Sequence, residues 1–121
     1  MPHLKIQDPG SLSDLFPRLK PLEAKDELGV QKIRAFFIDR EEKQILAEGM
    51  VAEGGLPRYF FLSLQQKEGA LLLRCLPSTD PEKTPGVKRL ILRLGLTISE
   101  LLSAGVEPCN LEGEWEAFRT S

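Results

Sequence analysis

The sequence predicts an α+β fold: an antiparallel β-meander of four to six strands packed against helices, with a short N-terminal helical arm. Three observations carry this. Four short apolar segments, 30–39, 45–53, 58–66 and 70–76, follow one another through the middle of the chain. The breaks between them, 40–44, 54–57 and 67–69, are short and rich in charge, glycine or proline. Connections of that length force neighbouring strands to run antiparallel, because a parallel crossover needs a dozen residues or more. Third, residues 84–104 carry apolar residues at helical spacing, with capping residues ahead of them.

The 121 residues fit one domain, which buries about 65% of the surface its unfolded chain exposes. Four segments follow from the pattern: an arm over 1–29, the meander over 30–76, a helical or strand-helix segment over 84–104, and an acidic tail over 107–121.

In the arm, Ser11 or Ser13 can cap a short helix that covers Leu12, Leu15 and Phe16, with Asp14 near its positive end. Pro17 and Pro21 break this region into short pieces. Residues 21–28 read as a second short helix, with Pro21 at its first position and Gly29 just past its end.

In the meander, Ile33, Ala35 and Phe37 alternate with Arg34, Phe36 and Ile38; Phe60, Leu62 and Leu64 alternate with Tyr59, Phe61, Ser63 and Gln65; Leu71, Leu73 and Cys75 alternate with Leu72, Arg74 and Leu76. Both faces therefore carry large apolar groups, unlike a sheet with one solvated side. Helices, curling of the sheet or a partner must cover the second face.

Residues 76–86, with Pro77, Pro81 and Pro85, read as a stiff exposed loop. Two templates fit 87–94. As a helix, Val87, Leu90, Ile91 and Leu94 form a stripe with Lys88, Arg89 and Arg93 opposite, and Thr84 and Pro85 supply a cap and a first residue; as a strand, Val87, Arg89, Ile91 and Arg93 oppose Lys88, Leu90, Leu92 and Leu94. Thr97-Ile-Ser-Glu100 matches a capping box and predicts a helix over Ile98, Leu101 and Leu102 that stops at Gly105. The tail fits an edge strand with Leu111, Gly113, Trp115 and Ala117 on one face, and equally a helix striped by Leu111, Trp115 and Phe118. Gly113 favours the strand.

Composition narrows the function classes. The chain is 41% hydrophobic and 28% charged, ordinary for a soluble globular domain, and its net charge of −2 provides no overall basic field for nucleic acid or anionic lipid. No apolar run is long enough to span a membrane, and the N-terminus lacks the apolar core of a secretory signal. Cys75 and Cys109 are then expected as free thiols in the cytoplasm.

No chemistry-bearing motif stands out. His3 is the only histidine, so a histidine triad or zinc cluster has nothing further to draw on. Cys75 on an apolar strand reads as a small buried residue. The acidic run within 40–43 reads as a charged hairpin tip, that of the tail as a solvated strand face, and Gly54-Gly55 as a turn. The sequence thus predicts no catalytic residue, no metal site and no cofactor.

One segment, 86–104, has the outline of a helix-turn-helix with Gly95 in the turn. Its second helix offers Ser99, Glu100 and Ser103 to the bases and no Arg, Lys, Asn or Gln, which argues against nucleic acid and for a plain helical hairpin. The clearest remaining signal is charge asymmetry: residues 83–93 carry Lys83, Lys88, Arg89 and Arg93 and no acid, while residues 107–118 carry Glu107, Glu112, Glu114 and Glu116 and no base.

The functional expectation is a non-enzymatic cytoplasmic interaction module, such as an adaptor, assembly factor or small chaperone. It would bind a protein partner or a second copy through Lys88, Arg89, Leu92, Arg93, Glu112, Glu114 and Glu116, with Leu92 as an exposed apolar contact. Nucleic-acid binding through 86–104 is the first alternative. Binding of an apolar small ligand, with Tyr59, Phe61 and Trp115 as walls, is the second.

Overall fold

The computed structural model describes residues 3–7 and 10–120. Met1, Pro2, Asp8, Pro9 and Ser121, which belong to the arm and tail segments, lie outside the described residues. The described elements are β1 (His3–Gln7), α1 (Leu12–Leu15), β2 (Leu22–Asp26), β3 (Gly29–Ile38), β4 (Gln44–Glu53), β5 (Leu56–Lys67), β6 (Ala70–Cys75), α2 (Pro85–Leu102), β7 (Val106–Glu107) and α3 (Glu112–Arg119), with single 3-10 turns after α1 and β6.

All described strands join one antiparallel sheet in the order β2-β3-β4-β5-β6-β1-β7. The meander β3 to β6 lies where the apolar segments put it. The sheet has seven strands rather than four to six, because the arm and the tail also contribute strands.

Residues 22–26 are strand, not helix. Leu22, Ala24 and Asp26 alternate with Glu23 and Lys25, and the five pair with Gly29–Ile33 of β3. The turn needs Gly29, whose φ is +120° and whose Cβ, if present, would lie 2.0 Å from the Ala52 carbonyl oxygen. The glycine that suggests a helix end thus serves a hairpin. His3–Gln7 likewise forms β1 between β6 and β7, with Leu4 and Ile6 fully buried.

In β3 the register shifts between Ile33 and Ala35, a β-bulge at Arg34. The expected face of Ile33, Ala35 and Phe37 is broken there. Ile33 points into the core, Phe36 and Ile38 continue the inner row, and Phe37 turns outward.

The core lies between the inner face of the sheet and α2, one unbroken helix of 18 residues. Thr84 caps it, its hydroxyl accepting from the Val87 N–H at 3.3 Å, with Pro85 as first residue. Val87, Leu90, Ile91, Leu94 and Ile98 are all fully buried, and each contributes about 1.5–3 kcal/mol through burial. The helix touches β1, β3, β4, β6 and β7, so the sheet curls around it.

Two expectations about this segment fail together. The helix does not begin at Thr97, and no turn occurs at Gly95. The Thr97 hydroxyl instead donates back to the Arg93 carbonyl at 2.9 Å, inside the helix. Gly95 is retained for close approach: a Cβ there would lie 2.2 Å from Leu4 Cδ1 on β1. Helix α2 ends in a left-handed Ser103 (φ 51°), with the Ala104 N–H donating to the Ser99 carbonyl. The helix-turn-helix outline at 86–104 is therefore not realised. The tail adopts the helical alternative, with Leu111 and Trp115 buried and α3 resting on α2.

Candidate interaction surfaces

The basic segment singled out by the sequence lies along the edge of a cleft of about 680 Å³ between the β2–β3 hairpin, α2 and α3. Its charges already have partners in the chain. The Asp26 carboxylate, on β2, accepts from Arg89 Nη1 at 3.0 Å and Arg93 Nη2 at 2.8 Å through Oδ2. Its Oδ1 accepts from the Leu28 N–H at 2.9 Å and Gln31 Nε2 at 3.1 Å. Arg93 Nε donates to Gln31 Oε1 at 2.7 Å, and Arg89 Nη1 also donates to Glu27 Oε1 at 2.7 Å. The Arg93 guanidinium stacks 5.4 Å from the Phe118 ring centroid.

Burial by itself would raise the Asp26 carboxyl. The hydrogen bonds from Arg89, Gln31, Arg93 and the Leu28 N–H outweigh it and hold the group well below the ordinary carboxylate range. The Arg89 hydrogen bond lowers the Glu27 carboxyl as well, and both acids raise Arg89. This network ties the first hairpin to the helix.

The other residues expected at an interface are also engaged locally. Lys88 Nζ sits 3.6 Å from Glu114, Glu116 pairs with Arg119 at 3.8 Å, and Glu112 accepts from the Asn110 N–H at 3.3 Å. Leu92, expected as an exposed contact, is buried at 2% exposure beneath this cleft. The helical form of the tail explains the reversal, since α3 covers that side of α2.

The N-terminus of α2 is occupied too. Glu53 accepts from the Gly86 N–H at 3.0 Å and from the Thr84 hydroxyl, and lies 3.7 Å from Arg58. Cys75 and Cys109 are free thiols. Burial pushes the Cys75 thiol up to about 11. Among the described residues no group of three His, Cys, Asp or Glu side chains is placed to hold a metal ion, and no helix is long and apolar enough to cross a membrane.

The outer face of the sheet differs. The strand register places Phe37 beside Leu46, Leu46 beside Ser63 and Ser63 beside Arg74, one row across four strands. A neighbouring row brings Met50 beside Tyr59, and between the two rows Glu48 stands beside Phe61. Phe37 is 51% exposed and Tyr59 is 62% exposed. Leu46, Met50 and Phe61 are half-buried. Tyr59 and Phe61 thus lie on the opposite side of the sheet from Trp115, and the three do not wall one cavity. The aromatic residues were visible in the sequence, but the bulge that turns Phe37 outward was not.

Further along the same face, a trough of about 500 Å³ runs over β6 and β1. Lys5, Lys67 and Arg74 line it around Ala70 and Leu72. None of the three cations has a hydrogen-bond or ion-pair partner among the described residues, and Arg74 Nε is a buried donor left unsatisfied. Sequence reasoning missed this group because its members are scattered over three strands.

Comparison with protein-family models, with curated proteins and with solved structures gives no match.

Proposed function

We propose that the chain is a non-enzymatic protein-interaction module that docks a polypeptide partner of mixed apolar and acidic character on the outer face of its sheet. The observation that carries this reading is the exposure of Phe37 and Tyr59 beside half-buried Leu46, Met50 and Phe61, on a sheet whose inner face is already filled by α2. Exposed apolar groups gathered on one face mark interaction sites, and aromatic side chains supply much of the energy when covered. The unpaired cations further along the face favour an acidic complement.

Two features support a non-enzymatic role. The Cys75 thiol remains protonated at neutral pH, and the Asp26 carboxylate is held by four donors rather than poised for proton transfer. Free thiols at Cys75 and Cys109 suit a reducing compartment such as the cytoplasm.

Selection from a random library of displayed dodecapeptides against the immobilised protein tests the reading. Enriched peptides are expected to bind the double variant Phe37→Asp/Tyr59→Asp at least about tenfold more weakly, with its unfolding midpoint unchanged, since hot-spot aromatics dominate such interfaces. Failure to enrich any peptide, or equal binding by parent and variant, overturns it.

A further inference from the structure

We propose that the trough over β6 and β1 is a receptor for an extended acidic peptide segment, with Lys5, Lys67 and Arg74 each taking one carboxylate. The inference rests on the outer face being a docking surface and names the chemistry of what docks there.

Spacing is the first argument. The strand register gives three successive outer rows: His3 beside Arg74, Lys5 beside Leu72, and Gln7 beside Ala70, which is flanked in turn by Lys67 on β5. Each row thus holds one of the three cations, and successive rows are two residues apart, about 6–7 Å along the strands. An extended peptide repeats its own same-face side chains at the same interval. Carboxylates at alternate positions of a peptide lying over β6 therefore come above Arg74, and within side-chain reach of Lys5 one strand to one side and Lys67 one strand to the other. A single phosphate or small carboxylate cannot span the roughly 13 Å from the Arg74 row to the Lys67 row.

Unmet charge is the second argument. The chain has 18 acidic and 16 basic residues, so acids are available. Elsewhere Arg18, Arg34, Arg58, Arg89, Arg93 and Arg119 find acceptors within the chain, while Lys20, Lys25 and Arg40 share the lack of a partner among the described residues but stand apart from one another and line no trough. Lys5 stands directly across from Glu107 in the register, yet no ion pair forms between them. Arg74 keeps a buried Nε with no acceptor, which native structures rarely tolerate without a reason. A carboxylate is the natural complement of a guanidinium, often engaging it bidentately. Leu72 and Ala70 form an apolar floor between the cations, suited to small or apolar residues alternating with the acids. Glu68 and Glu107 also line the trough, Glu107 in the Lys5 row, so they reduce the positive field there and leave the Arg74 row as the strongest anchor.

The test uses a fluorescein-labelled heptapeptide with glutamate at alternate positions and leucine between, and the same peptide with glutamine for glutamate, titrated by fluorescence anisotropy. The glutamate peptide is expected to bind at least about tenfold more tightly than the glutamine peptide, and several-fold more weakly when salt rises from about 50 to about 200 mM. Arg74→Gln is expected to lose about tenfold, and the triple variant Lys5→Gln/Lys67→Gln/Arg74→Gln nearly all of the preference for glutamate, with unchanged unfolding midpoints. Equal binding of the two peptides, or no binding of the glutamate peptide to the parent, overturns the inference. If the triple variant binds like the parent while Phe37→Asp/Tyr59→Asp loses the probe, the acidic receptor is refuted and the docking face stands. If neither variant changes binding, both are refuted.

Discussion

Two basic clusters on this chain look alike by charge and differ in what their charges do. Arg89 and Arg93 are neighbours on one helix and stand out in the sequence, yet both point at Asp26 and are consumed in fastening α2 to the first hairpin. Lys5, Lys67 and Arg74 are far apart in sequence, converge on the outer sheet face and form no ion pair there, although Glu68 and Glu107 line the same trough. Charge density along a chain measures neither exposure nor availability. What distinguishes the clusters is whether the fold brings a carboxylate to them, and β2, which carries Asp26, was legible as a helix.

Charge reversal at the first cluster is expected to have the largest effect. Arg89→Glu/Arg93→Glu leaves the mostly buried Asp26 facing two like charges, and the expected loss is about 3–5 kcal/mol by urea unfolding. A variant that folds as the parent does would make those arginines surface charges after all. Asp26→Ala comes next: it strands both guanidinium groups and Gln31, and is expected to cost roughly 2–3 kcal/mol.

Acid titration sharpens the same point. The Asp26 carboxyl is lowered in the folded protein from its ordinary 3.8, so its stabilisation is fully present above about pH 4 and is lost as pH falls below that. Stability measured between pH 7 and pH 3 should fall more steeply in the parent than in Asp26→Asn. Equal slopes would remove Asp26 from the acid response.

At the second cluster Arg74→Gln should change stability by no more than about 0.5 kcal/mol, because no partner is lost. A loss above about 1 kcal/mol would reveal a structural role. The smallest effect is expected at Thr97→Ala. A helix cap at this position predicts a loss of about 1 kcal/mol. An exposed threonine inside α2, bonded back to Arg93, predicts a change within about 0.5 kcal/mol in the stabilising direction, from helix propensity.

The parts of the fold that were legible share a property. The strands of the meander, the Ser11 cap of α1 and the Thr84-Pro85 start of α2 are each specified within a few residues, by alternation, turn chemistry or a side chain reaching its own backbone. Other elements needed distant partners. β1 has the alternation of a strand over Leu4 and Ile6, but five residues are too few to declare themselves without β6, whose residues follow more than sixty positions later. Gly95 interrupts helical propensity locally, and the helix continues because Leu90, Ile91, Leu94 and Ile98 gain more by packing into the curled sheet than the glycine costs. Gly113 in α3 is overridden in the same way by the burial of Leu111 and Trp115.

Alternation, short turns and hydrophobic period are enough to specify an antiparallel meander with apolar groups on both faces and a helical or strand-helix segment over 84–104, because these follow from local geometry. Which cations pair, which do not, and which aromatics point outward are set by long-range packing. Those outcomes depend on side chains meeting across strands: a bulge at Arg34 turns Phe37 out, β2 brings Asp26 to Arg89 and Arg93, and the register of β5, β6 and β1 sets Lys67, Arg74 and Lys5 along one face with no ion pair among the described residues.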